Sequence, residues 1–407
     1  MQKIDKILTH KFFGVLVFII VIWLIFQATF GLGYYPMIWI ENLVFNIEDF
    51  LITYVHDGML KSLLVNGLLK GIGGVLVFMP NIVILFSLLS IMEESGYMAR
   101  ITIVMDKILN PLGLNGKSFI SLVMGLGCNV PAIISAQKIE NKNSRLITIL
   151  INPLMSCSSR FTVYVLFISA FFPKHSGTVL FFIYFSSVFF AILLAFLLKK
   201  YIFKNTYEPF KLGLPELSMP SIKIIIRNMW FNSRLFLKKI SGAILIASVV
   251  IWMLSYFPKN FDNKNIDKSY IGAIGKFIEP VIEPLGFDWR MGISIITGIA
   301  AKETTTGTIS MLFQKEHKSG NDKQNLIENL QSQVYLSGDK IGQKVFTPLV
   351  ALSFMFFISI YTPCVATITT IRKITRSDKW TLFVIAYTTI LAWVVSFAIF
   401  TIGKIFF

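Results

Sequence analysis

An apolar run long enough to cross a membrane, Phe119 to Ala136, is broken at its centre by Gly125-Leu126-Gly127-Cys128-Asn129-Val130-Pro131. Two glycines and a proline so close together cannot continue a regular helix, because proline lacks a donor N–H and clashes with the turn before it. In lipid, the carbonyls that such a break releases survive only where protein or a polar cavity satisfies them. The run therefore predicts a discontinuous helix, the element on which transporters build substrate and ion sites. Cys128 adds a soft sulfur donor at the break and Asn129 a hard carbonyl donor. Gly125, Gly127 and Pro131 do the breaking and are the expected gating points.

The rest of the chain has the same character. Of 407 residues, 55% are hydrophobic and 15% charged, and the mean hydropathy is +0.69. Soluble domains rarely reach those values, so the expected fold is an all-α, polytopic integral membrane protein of about 8–10 membrane segments. Transmembrane β-strands alternate with period two, which these uniform runs do not. A net charge of +16 could suit nucleic acid. Cytoplasmic loops of membrane proteins are rich in Lys and Arg, however, and no nucleic-acid partner is expected. Three cysteines in or beside apolar segments make no disulfide framework. Phe12 to Phe30, behind Lys3, Lys6 and Lys11, is longer than a signal-peptide core and reads as a retained helix.

Four regions follow. Residues 1–61 comprise a membrane helix and an amphipathic outer segment rich in acids and aromatics. Residues 62–198 form a first repeat, 199–239 a basic, proline-containing cytoplasmic linker, and 240–407 a second repeat with a C-terminal helix. The first repeat opens on a stretch, Ser62 to Met92, that Gly71, Gly73, Gly74 and Pro80 should kink or divide. Pro111-Leu112-Gly113 precedes Gly125 by the interval that separates Pro284-Leu285-Gly286 from Gly298. That register sets Cys128-Asn129-Val130-Pro131 against Ala301-Lys302-Glu303-Thr304. The charge of the flanking loops predicts that residues 118–137 and 291–313 are re-entrant hairpins of opposite orientation. Inverted repeats with discontinuous helices are a transporter architecture.

Chemistry concentrates at these breaks. Cys157, in Met155-Ser156-Cys157-Ser158-Ser159, and Cys364, after Pro363, lie in broken spans as Cys128 does. Thiols suit Fe(II), Zn or Cu rather than Mg or Ca, and Met155 could add a weak thioether donor. The expected metal-contacting set is Cys128, Cys157, Cys364, Asn129, Met155 and Glu303, with Pro363 as a further breaking residue. No histidine accompanies them, which points to a transient conducting site, bound loosely enough to release. Lys302 and Glu303 are costly in a membrane. As sequence neighbours they cannot pair well on a helix, so each needs its own partner. Glu93 and Glu94, ending a span, suit an ion mouth or a solvated cap. Asp57, Asp106, Arg100 and Arg160 read as interface anchors or ion-pair members. Gly113-Leu114-Asn115-Gly116-Lys117-Ser118 mimics a phosphate loop, but its glycines are too close together and no strand precedes it. An enzyme is not expected, since no catalytic grouping occurs at usable spacing.

Several of these pieces resemble the membrane domain of FeoB-type ferrous iron transporters, over nearly the whole chain. They include Gly71-Ile72-Gly73-Gly74-Val75-Leu76-Val77-Phe78-Met79-Pro80, Gly96-Tyr97-Met98-Ala99-Arg100 and the Gly127-Cys128-Asn129-Val130-Pro131 core. Met155 to Arg160, Ala301-Lys302-Glu303 and Tyr361-Thr362-Pro363-Cys364 complete them. The resemblance implies two Gate-type repeats, Fe(II) import across a bacterial inner membrane and an ion path along the three cysteines. It also implies a GTP-binding domain, which in this case would be a separate chain or a removed part. Fe(II) would be cargo, no cofactor would stay bound, and GTP would act only through that other domain. Lipid is the expected surroundings, and a homo-oligomer is compatible with the reading. Two rival functions stand beside it: a Gate-fold carrier for a nucleoside or other organic solute, and a non-transporting membrane partner of a GTP-binding protein.

Overall fold

Apolar stretches become helices throughout the computed structural model, which describes residues 10, 13–56, 58–203, 221–258, 269–313, 322–334 and 342–406. Among these, the one β-pairing is an isolated antiparallel bridge between Val334 and Lys344. Five helical stretches are long and apolar enough to cross a membrane. The protein is an all-α, multi-pass membrane protein. By packing, the chain divides into two units, residues 1–152 with 191–246 and residues 153–190 with 247–407.

In the first unit, α1 (Phe13–Tyr54) runs for 42 residues without interruption, through Pro36. The sequence suggests a boundary near residue 30; instead the aromatic segment beyond it continues the same helix. A helical turn (Met59–Ser62) and a π-helical segment (Leu63–Leu69) then lead into α2 (Lys70–Glu94), which packs along α1. The π segment takes up the irregularity expected of this stretch, while Gly71, Gly73, Gly74 and Pro80 are carried inside α2. Next come α3 (Tyr97–Leu109), α4 (Gly116–Gly127), α5 (Asn129–Ser135) and α6 (Lys142–Ile151).

The chain enters the second unit at Pro153. Here lie α7 (Ser158–Phe171) and the first part of α8 (Ser176–Tyr201), whose second part returns to the first unit. Helix α9 (Ile222–Tyr256) starts well inside the region expected to be linker. Its basic residues stand on a helix whose apolar content is otherwise high, so a run of charge here does not mean an absence of structure. Pro209, Pro215 and Pro220 of that linker lie outside the described residues, as does Asp57. The second unit continues with α10 (Tyr270–Ile282), α11 (Trp289–Ala300), α12 (Thr304–Phe313), α13 (Asp322–Ser332), α14 (Pro348–Ile360), α15 (Val365–Thr375) and α16 (Asp378–Phe406).

One stretch coincides residue by residue between the two halves. Helices α3, α4 and the 3-10 turn between them (Asn110–Leu112) match α10, α11 and their turn (Glu283–Leu285) at one constant offset, that from Gly113 to Gly286. Both glycines take the left-handed conformation, φ 74° and 84°, that ends the turn. Asn115 and Asp288 then cap α4 and α11 through their side chains. The apparent phosphate loop is this helix start, with Ser118 closing a capping box.

One crossing is solved in mirrored ways. A Cβ on Gly116 would lie 2.1 Å from Thr102 O, so α3 and α4 touch because α4 begins with glycine. At the equivalent crossing the glycine is on the other helix: a Cβ on Gly275 would lie 2.9 Å from Trp289 O. A carboxylate tightens each crossing. Gly116 N donates to Asp106 Oδ1 at 2.8 Å, and Trp289 N donates to Glu279 Oε1 at 3.3 Å. Asp106 thus tethers a helix start.

Both broken runs are hairpins. Ser121 Oγ in α4 donates to Ala132 O in α5 at 2.6 Å. In a continuous helix those residues would stand roughly 16 Å apart along the axis. Thr297 and Thr308, also eleven positions apart, pair hydroxyls at 2.9 Å between α11 and α12.

Candidate functional site

The residue just after each break has the same task in both repeats. In the first unit Cys128 interrupts the helix with φ −154° and ψ 127°. Asn129, buried beside it, answers the carbonyls left over: its amide nitrogen, oriented by these acceptors, reaches Gly125 O at 3.1 Å and Asn152 O at 3.2 Å. Asn152 in turn donates to Ser121 O at 3.2 Å and Ser121 Oγ at 3.1 Å. Gly125, Gly127 and Pro131 are all buried around this break.

In the second unit Ala301 holds the equivalent backbone position, φ −149° and ψ 132°. Lys302, the counterpart of Asn129, donates from Nζ to Thr362 O. Both long-range acceptors, Asn152 O and Thr362 O, immediately precede a proline, Pro153 and Pro363. The first repeat satisfies that carbonyl with a side-chain amide, the second with the nitrogen of a lysine.

Lys302 is only 2% exposed. A buried charge must be compensated by its surroundings. Its Nζ lies 3.1 Å from the Tyr361 ring centroid, over the electron-rich face. Thr362 O sits just beyond the C-terminal end of α14, where the helix dipole attracts cations. Glu303, half-buried, accepts a hydrogen bond from Ser159 in the first turn of α7, where the dipole favours anions. The two neighbours thus have separate partners, as their adjacency requires. Cys157, Cys364 and Arg160 also lie within electrostatic reach of Lys302.

All three cysteines are N-cap residues. Cys128 caps α5, Cys157 α7 and Cys364 α15, each with extended backbone, and each is a half-buried thiol outside any disulfide. Each marks the point where helical backbone resumes, ahead of a first turn whose N–H groups have no partner within the helix. Cys364 Sγ is 3.2 Å from Thr367 Oγ1 in that turn. Beside it, Thr362 and Thr389 pair hydroxyls at 2.6 Å, tying the break to α16.

Arg160 carries more of this site than its sequence position suggests. It is fully buried and donates to Pro153 O at 3.2 Å and Met155 O at 3.3 Å, holding the unwound segment before Cys157. It is therefore no interface anchor, and Arg100, also buried, spends its guanidinium on Gly96 O at 2.9 Å. Ser156 and Tyr164 pair at 2.7 Å behind the same segment. Met155 itself is buried.

Of the expected metal-contacting residues, Cys157, Met155, Glu303 and Cys364 belong to the second unit, with Lys302 and Pro363, and Cys128 and Asn129 to the first. Within either unit no group of three or more His, Cys, Asp or Glu side chains converges among the described residues. Soft sulfur, backbone carbonyl oxygen and one carboxylate are what the breaks offer. Glu93 and Glu94 end α2.

A family model described as nucleoside recognition, the Gate family, matches residues 75–171 and 237–377. A second, described as ferrous iron transport protein B C terminus, matches residues 180–232. All of the chain aligns at 42% identity with the Fe(2+) transport protein A/Fe(2+) transporter FeoB fusion protein of Porphyromonas gingivalis, covering 52% of that protein. It aligns at 39% identity with the Fe(2+) transporter FeoB of Staphylococcus aureus, again over all of the chain and 59% of the relative. With the Fe(2+) transporter FeoB of Campylobacter jejuni the identity is 37%, over 99% of the chain and 65% of the relative. The chain thus spans between about half and two thirds of the length of these relatives. No solved structure matches.

Proposed function

We propose that the chain, which belongs to the Gate family, is the membrane permease of a FeoB-type bacterial ferrous iron importer. Fe(II) is the cargo, and the bacterial inner membrane is the location. The observation that carries this reading is the pair of N-cap thiols, Cys157 and Cys364, set at two broken helices within one unit. Fe(II) accepts both sulfur and oxygen donors, and each thiol here has unwound backbone beside it. Lys302 and Asn129, the long polar side chains that could have read an organic solute, are committed to backbone carbonyls. Cys128, at the break of the first repeat, is the thiol that the first unit offers. Loose, partial replacement of the ion's water shell is what a conducting site needs.

GTP would act through a GTP-binding domain, whether that domain is a separate chain or another part of the same protein. The ion path needs no catalytic group, and the chain acts as a permease and not as an enzyme.

Anaerobic titration of the purified chain with Co(II) tests the reading, because sulfur ligation to cobalt is visible as charge-transfer absorption. The band should appear in the wild type, and Cys364→Ser should weaken affinity on the order of tenfold, the equivalent of about 1.4 kcal/mol. Fe(II) uptake into proteoliposomes carrying the chain and a GTP-binding domain should fall in parallel. A chain that neither binds Co(II) nor takes up Fe(II) would return the nucleoside reading to first place.

A further inference from the structure

Lys302 poses a problem for any cation path. The fully buried Lys302 Nζ sits at the break of the second repeat and donates to Thr362 O, two residues before Cys364, a thiol proposed to meet the ion. Like charges within a low-dielectric site repel strongly. The position does not demand a charge: the first repeat satisfies the corresponding carbonyl with the neutral Asn129. What Lys302 occupies is itself a cation subsite. It has a carbonyl oxygen at the C-terminal end of a helix, an aromatic face and a threonine hydroxyl pair next to the carbonyl.

We propose that the Lys302 ammonium is a tethered cation filling this subsite, and that a divalent ion entering the second repeat must evict it. The inference rests on the permease reading above. The ammonium keeps Thr362 O and the Tyr361 face satisfied when the path is empty. On eviction its four-carbon stem lets it withdraw, and its charge then helps to expel the ion again. Lys302 is thus a positioning residue that sets how tightly cargo can be held, and so how readily it leaves. The first repeat, with Asn129, has no such competitor, so the two breaks have unequal affinity.

The test compares wild type, Lys302→Gln and Lys302→Arg, each as the full chain in nanodiscs, by anaerobic Co(II) titration. Lys302→Gln brings the neutral amide of the first repeat to the second and should bind Co(II) roughly tenfold more tightly or better. Lys302→Arg keeps the charge and should gain nothing. A Lys302→Gln protein that melts like the wild type yet binds no more tightly would overturn the proposal, leaving Lys302 a structural clamp. Should Lys302→Gln not fold, the wild type still decides. Reductive methylation of Lys302, read by mass spectrometry, should rise when Co(II) is added, and unchanged labelling overturns eviction. Fe(II) uptake by the wild type separates the two ideas. Uptake with unchanged Lys302→Gln affinity removes only the tethered cation, whereas no uptake and no binding in any variant removes both.

Discussion

Gly298 shows how tightly single residues set the second break. A Cβ there would lie 2.1 Å from Thr305 Oγ1 and 2.4 Å from Tyr361 Oη. Tyr361 is the ring under Lys302, so Gly298→Ala should push that ring from its place. We expect a stability loss of about 1–3 kcal/mol, as overpacking in a filled interior gives, read as a lower melting temperature in detergent. Arg160→Met should be worse, because it leaves Pro153 O and Met155 O buried without a donor, at about 1–3 kcal/mol each. A variant that melts within 1 °C or so of the wild type would contradict that accounting. At the surface, Lys117 lies 2.8 Å from Glu140 and holds its carboxyl below the usual carboxylate range. Whatever this pair contributes is present above the ordinary glutamate pKa and is lost as pH falls through the lowered one. Being exposed, it should leave the melting temperature of Glu140→Gln unchanged at neutral pH. The breaking residues and the cysteines were legible in the sequence because glycine, proline and thiol announce themselves. Arg160 was not, since nothing local distinguishes an arginine that snorkels to an interface from one that feeds carbonyls of its own segment. Lys302 was legible as costly, but its acceptor is sixty positions away, and no local pattern encodes that distance.

At the scale of elements, the two repeats share a backbone plan more closely than a sequence. Their turns, caps and breaks coincide, whereas the residues that make the contacts have been exchanged. Gly116 answers to Gly275, Asp106 to Glu279, and Asn129 to Lys302. The sequence revealed this register through Pro-Leu-Gly alone, because the left-handed turn it encodes tolerates little else. The crossings escaped notice since the small residue changed helices. Asp106→Ala should cost about 1 kcal/mol, the ordinary value of a lost helix-start acceptor, and Glu279→Ala less, in keeping with its longer contact. Chemical denaturation in mixed micelles measures the difference, and an inverted order would count against these tethers. Helix boundaries were the least legible feature. Helix α1 runs past residue 30 and α9 begins before residue 240, because lysines, arginines and acids report which side of a membrane a segment faces rather than where its helix stops.

At the scale of the whole molecule, the repeats and the packed units do not coincide. The boundary of the first unit falls between Asn152 and Pro153, immediately after the residue whose carbonyl Asn129 engages and inside a broken span of the first repeat. Helix α7 therefore packs with α12 and α14 of the second repeat, while the start of α9 goes back to the first unit. This arrangement has a genetic consequence. A gene divided between the codons for Phe203 and Ser221 would yield two polypeptides that each carry one repeat but neither unit entire. Made alone, each fragment should be cleared by membrane proteases. Made together, they should find one another and restore the Co(II) binding proposed for the whole chain, as fragment complementation would report in a strain carrying both.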